Sequence, residues 1–148
     1  MNKKIFLLSI WISFLALCAC SSDRFVLDNQ YYNQWEFIQV NTWDITSLKS
    51  WNYVLFTYNN YCALKIPCDE IFKKFMQKYN IDFLSINYEN FKKTHLHDTV
   101  QYAPSIIIVK NWKVIAYLDT EKDGDLEKYQ DVNEFEKWIS KYVILKKE

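Results

Sequence analysis

The sequence predicts a three-layer α/β domain, a central mixed sheet with helices on both faces, behind an N-terminal secretion signal. Three observations carry this reading. Runs of strand formers alternate with segments of helical periodicity in the order β-α-β-α-β-α-β-β-α, and alternating βαβ units need helical crossovers and a parallel sheet. The last two strand runs are linked by too few residues for a crossover, so they form an antiparallel hairpin. The chain has 148 residues, half of them apolar and 18 % aromatic, which supports one core in one domain.

Lys3 and Lys4 precede the apolar run 5–17, which meets Ser21, Ser22, Asp23 and Arg24 almost at once. A basic start, a short apolar stretch and a polar flank are the parts of a signal peptide, and the run is short for a spanning helix. Leu17-Cys18-Ala19-Cys20 resembles the lipobox of bacterial lipoproteins, with an aliphatic residue three positions before the cysteine and a small residue directly before it. The competing frame ending at Cys18 puts Leu17 where a small residue is needed. The resemblance implies removal of residues 1–19 as a signal peptide and a diacylglyceryl group on the sulfur of Cys20. The other reading is an uncleaved anchor. Both place the domain outside the cytoplasm at a bacterial membrane, on the periplasmic side or the cell surface.

Residues 20–34 then form a tether without periodicity, and the domain occupies 35–148. Residues 36–40 read as a short strand. Thr42 can cap a helix over 43–50 in which Trp43, Ile45 and Leu48 are partly buried. Residues 53–58 are apolar on both faces, as a central strand is. Ile71, Phe72, Phe75, Met76 and Tyr79 recur at helical spacing opposite Lys73, Lys74, Gln77 and Lys78, with Asn80 as a stop. A strand over 81–87 and an imperfect helix over 89–97 follow. Strands 105–109 and 114–118 make the hairpin. A final helix, started near Asp131 or Asn133, carries the stripe Val132, Phe135, Trp138, Ile139, Tyr142 and Val143.

Composition excludes several functions. Loss of Lys3 and Lys4 with the signal leaves 16 basic against 18 acidic residues, a net of −2, with no basic cluster for nucleic acid. Gly124 is the one glycine, so a phosphate-cradling loop is not expected and neither is a nucleotide cofactor. No cofactor and no metal are assigned. The cysteines say more. Of the four, Cys18 leaves with the signal and Cys20 carries lipid, so the mature domain holds Cys62 and Cys68. An even pair in an oxidising compartment reads as a disulfide.

The segment Tyr102-Ala103-Pro104-Ser105-Ile106-Ile107-Ile108-Val109-Lys110-Asn111-Trp112-Lys113-Val114 resembles the part of thioredoxins in which a cis-proline precedes a buried strand, a tight turn and another strand. Tyr61-Cys62 after a hydrophobic strand is a second match, and the likeness spans roughly residues 35–145. It implies a thioredoxin-like fold, a cis peptide before Pro104, and substrate contacts from Tyr61, Ala103 and Pro104, with the Ala103 backbone pairing to an extended client segment. It also implies catalytic roles for Cys62 and Cys68 in thiol–disulfide exchange with extracytoplasmic protein thiols or disulfides; the redox partner is not named by it. Three departures are visible. Trp112 stands where the family has a turn glycine, leaving the turn type open. Five residues separate the cysteines instead of two. Phe56, six residues before Cys62, stands where thioredoxins commonly keep a buried acid.

Exchange needs one accessible sulfur with a favoured thiolate and a second to resolve the mixed disulfide. Pro67 suits a first helical position, which puts Cys68 in the first turn beside Asp69 and Glu70, carboxylates that disfavour a thiolate. Cys62, closer to Lys65, is therefore the expected attacking residue. The alternative is a non-catalytic accessory lipoprotein whose Cys62–Cys68 bridge is a structural clip. Two weaker patterns complete the reading. His95, His97 and Asp98 have metal-ligand chemistry, but a solvated helix end is far commoner for such a pattern and is the expected reading. Residues 119–130 parallel a calcium loop until its last position, where Gln130 replaces the bidentate Glu, so a plain polar loop is expected.

Overall fold

A computed structural model describes residues 24–59 and 67–146. The signal peptide, Cys20, Tyr61 and Cys62 lie outside these residues. Five strands form one sheet in the order β1-β3-β2-β4-β5, with β1 (Phe37–Gln39), β2 (Asn52–Tyr58), β3 (Phe83–Asn87), β4 (Ser105–Lys110) and β5 (Lys113–Asp119). β1, β3 and β2 are parallel, while β4 runs antiparallel to β2 and to β5. This is the thioredoxin-like arrangement, and the Ala103–Pro104 peptide that leads into β4 is cis.

Side-chain alternation along the strands divides the core into two layers. Val54, Phe56, Ile106, Ile108 and Leu118 face α2 (Cys68–Tyr79) and α5 (Val132–Ile139). Tyr53, Leu55, Ile107 and Val109 face the opposite way, toward α1 (Thr42–Ser47) and α3 (Tyr88–Phe91). β2 and β4 are thus covered on both faces, which is why they read as continuous apolar runs. α2 buries Ile71, Phe72, Phe75, Met76 and Tyr79 and exposes the lysine face. Pro67 is its cap and not its first helical residue, so the helix starts at Cys68, one position later than expected; Asn80 ends it in the left-handed region at φ 52°.

Several local expectations are corrected. The cap of α1 is Asn41, not Thr42. Its side chain accepts from Trp43 and Asp44 amides while the Asp44 carboxylate accepts from the Asn41 amide, a reciprocal box that spends no hydroxyl. Thr42 Oγ1 donates instead to Asn90 O at 3.0 Å. Trp43 is 82 % exposed rather than partly buried. The helix expected over 89–97 breaks because Thr94 is extended (ψ 156°) and donates its hydroxyl to Phe91 O, leaving α3 and a separate 3-10 turn at His95–Asp98. α5 stops at Ile139, and Val143 forms a bridge to Phe25. The segment read as tether is therefore packed from Phe25 onward: Phe25, Leu27 and Tyr31 are buried, Tyr32 bridges Ile81, and the buried Asp82 Oδ1 accepts from the Gln34 and Glu36 amides.

The hairpin turn resolves the missing glycine. Asn111 (φ 48°) and Trp112 (φ 70°) both take positive φ in a two-residue loop, the type I′ pattern. Trp112 pays for that conformation with packing: its ring stacks on His95 at 3.7 Å between centroids and 8° between planes, and His95 Nε2 donates to its carbonyl at 3.0 Å. A left-handed non-glycine residue costs about 1–2 kcal/mol. Trp112→Ala should therefore lower stability by about 2 kcal/mol and Trp112→Gly by only about 1 kcal/mol, because glycine loses the stack but escapes the backbone penalty. Urea unfolding midpoints check this; an alanine variant as stable as the glycine variant contradicts it.

Candidate active site

The carboxyl ends of β2 and β3, the start of α2 and the approach to β4 converge on one cleft of about 340 Å³. Phe37, Phe56 and Tyr58 form its strand-side wall; Pro67, Cys68 and Asp69 come from α2, and Pro104 closes it. The fold thus brings Cys68 and Pro104 to the same cleft although 36 positions separate them. Tyr61 and Cys62, the other expected site residues, lie outside the described chain.

Cys68 sits in the first turn of α2 and is 4 % exposed. Helix amides there favour negative charge on sulfur, and the adjacent carboxylates of Asp69 and Glu70 oppose it. Asp69 is partly offset by Lys73, whose Nζ lies 2.9 Å from Oδ2 across the exposed first turns. Phe56 stands in an aromatic cluster, its ring 5.3 Å from Phe37 and 5.4 Å from Phe72. No carboxylate therefore occupies that strand position to accept a proton. Polar groups along the wall satisfy one another: Ser85 Oγ and Tyr58 OH both donate to Gln39 Oε1, at 3.2 and 3.1 Å.

The backbone before β4 is held by side chains. Four consecutive carbonyls each accept from a different one: Gln101 O from Tyr88 OH, Tyr102 O from Ser105 Oγ at 2.7 Å, Ala103 O from Asn59 Nδ2 at 2.9 Å, and Pro104 O from Tyr129 OH at 3.1 Å. The Ser105 amide adds a bond to Thr57 Oγ1 at 3.0 Å, both residues being fully buried. Non-repetitive backbone fixed at every carbonyl presents its remaining edge in one geometry, which lowers the ordering cost of pairing with a second strand. Ala103 is half-buried and Tyr102 is 51 % exposed, so this edge reaches solvent.

Tyr129 escaped the sequence reading. It stands in the segment 119–130 expected as a polar loop, yet that segment contains α4 (Asp123–Leu126) and a 3-10 turn that carries Tyr129 into the core. Burial drives its phenol well above the usual tyrosine range, and the nearby Cys68 acts in the same direction. The one available signal was an aromatic among charges. The acids of this segment serve local backbone: Asp119 Oδ1 accepts from the Glu121 amide, Asp125 Oδ2 from the Asp119 amide, and Lys128 holds Asp125 at 2.9 Å. His95 and His97 part company, the first stacked on Trp112 and the second packed against Tyr88 and Phe91. Among the described residues no three His, Cys, Asp or Glu side chains gather as a metal site.

The sequence matches no family model and no curated protein. Among solved structures the chain is similar to a thioredoxin from Nicotiana alata (20 % identity over 72 % of this chain and 91 % of that one, TM-score 0.48). Thioredoxin f2 of Chlamydomonas reinhardtii (16 %, 70 % and 94 %, TM-score 0.48) and oxidised thioredoxin O2 of Arabidopsis thaliana (12 %, 74 % and 95 %, TM-score 0.49) are similar too. The fold assignment rests on the strand order and directions given above.

Proposed function

We propose that this protein is a thiol–disulfide oxidoreductase acting on extracytoplasmic proteins at a membrane surface through Cys62 and Cys68. The observation that supports it is the shared cleft of Cys68 and Pro104, apolar on one wall and bounded on the other side by backbone held ready for an extended segment. In the forward direction the Cys62 thiolate attacks a client disulfide, forming a mixed disulfide and expelling one client thiolate. The Cys68 thiolate then attacks Cys62 sulfur, releasing the second client thiolate and closing the Cys62–Cys68 bond. Two electrons pass to the client, and the two protons of the original thiols end on the client thiols. The reverse sequence oxidises a client dithiol.

A second reading has its own support. The burial of Cys68 and the phenyl ring of Phe56 in the acid's place suit a structural clip in a partner-binding lipoprotein. The reduction potential of the pair separates the two readings, since structural disulfides fall below about −300 mV.

The membrane attachment rests on the lipobox pattern. Mature Cys20→Ala protein is expected in the soluble fraction after lysis, because no diacylglyceryl group can form without that sulfur. Its recovery in the membrane fraction contradicts a lipid anchor and points to an uncleaved one.

A further inference from the structure

We infer that Tyr129 is a positioning residue for client docking, setting the backbone at Pro104 without touching the client. The inference rests on the exchange reading of the cleft and adds to it a residue outside the cysteine and proline segments.

Tyr129 reaches the site from the far side. Its ring is fully buried and packs edge-on against Phe72 of α2 at 5.7 Å between centroids. From there its hydroxyl is shared between Leu118 O at 2.8 Å, at the end of β5, and Pro104 O at 3.1 Å. One phenol thus joins the helix that carries Cys68, the edge strand of the sheet and the backbone that faces Cys68. Its neighbours in that task are Ser105, which bonds three residues back, Asn59, which reaches over from just past β2, and Tyr88, which reaches over from α3, while the Thr57 hydroxyl accepts from the Ser105 amide. Tyr129 alone among the four carbonyl donors comes from the segment between β5 and α5.

The phenol is suited to hold this contact at any pH the protein meets. Burial keeps its proton on, so it remains a donor whatever the state of the sulfur beside it. Removing the hydroxyl while keeping the ring leaves two buried carbonyls short of a donor. The Pro104 carbonyl has lost its side-chain partner, and Leu118 retains its place in the β4–β5 ladder. The local consequence is a looser backbone at 103–105. An extended client that pairs with this edge must then order it, which weakens binding and not the sulfur chemistry that follows.

The test uses full-length mature protein and Tyr129→Phe, with a peptide carrying an intramolecular disulfide as substrate. The expected result is a KM raised about tenfold with kcat within about twofold, the signature of lost binding common to ground and transition states. Tyr79→Phe is the control: it removes a phenol that donates to Glu136 at the opposite end of α2 and should leave KM alone. Amide hydrogen exchange on the same proteins gives a second readout independent of activity. Tyr129→Phe should speed exchange of the Ala103 and Ser105 amides about tenfold while those of Phe72 and Phe75 keep the wild-type rate. Unchanged exchange at Ala103 and Ser105, or a fall in kcat with KM constant, overturns the inference. If the wild-type protein exchanges with no peptide disulfide, the oxidoreductase reading fails instead, and the amide exchange still decides whether Tyr129 sets this backbone.

Discussion

Cys68→Ser protein is expected to accumulate mixed disulfides with client proteins, and Cys62→Ser protein is not. The asymmetry follows from access. Cys68 is 4 % exposed in the first turn of α2, so a client disulfide cannot align on its sulfur without opening the helix start, while a neighbouring thiolate can reach it to close an internal bond. Its flanking Asp69 and Glu70 also oppose ionisation, whereas Cys62 has Lys65 nearby in sequence and no acid within five residues on either side. Since exchange rate follows thiolate population and approach, Cys62 is the expected attacking sulfur and Cys68 the expected resolving one. Without the resolving sulfur the covalent intermediate persists. Reduced wild-type protein should accordingly be alkylated first at Cys62, by about tenfold or more over Cys68. Faster labelling of Cys68 reverses the assignment, and the absence of trapped client from both variants favours the clip.

Phe135→Ala should be the most damaging substitution in the described core. Phe135 is fully buried, and its ring lies 4.9 Å from both Phe72 and Phe75, 5.8 Å from Trp138 and 6.3 Å from Phe83. It is the point where α5, α2 and β3 meet. Truncating a buried phenylalanine costs about 3–5 kcal/mol, transfer and cavity together, against a total stability of about 5–15 kcal/mol for a domain. The variant should unfold at markedly lower denaturant and lose much of its folded population at 37 °C. Trp43→Ala, by contrast, removes a larger side chain that is 82 % exposed and should shift stability by less than about 0.5 kcal/mol. Paired unfolding curves measure both; a Trp43 effect of similar size would mean that its ring is covered.

The fold was legible because its signals are periodic. The α2 stripe, the unbroken apolar runs of β2 and β4 and the short link between β4 and β5 each follow from burial geometry that a sequence records directly. What the sequence concealed depends on contacts distant along the chain. Phe25 reads as part of a tether because its partner, Val143, is 118 positions away. Asn41 and Thr42 compete for one cap, and the reciprocal bond with Asp44 decides for Asn41. Trp112 is unexpected in a tight turn from sequence alone, because the ring of His95 that stacks on it lies 17 positions away. In the site, Cys68 and Pro104 were visible through their motifs, but the donors that hold the Pro104 segment were not. Asn59, Tyr88 and Tyr129 are ordinary polar residues in sequence, and only the folded chain brings their amide and hydroxyls to three of the four successive carbonyls.

The reduction potential of the Cys62–Cys68 couple, measured on mature protein by equilibration in glutathione or dithiothreitol buffers, tests the proposed exchange activity most directly. A value above about −300 mV is expected, within the span of proteins that exchange disulfides with their clients, so that the bond opens and closes in use. A value below that limit contradicts it, marking the bond as a permanent clip beneath a cleft that binds without reacting.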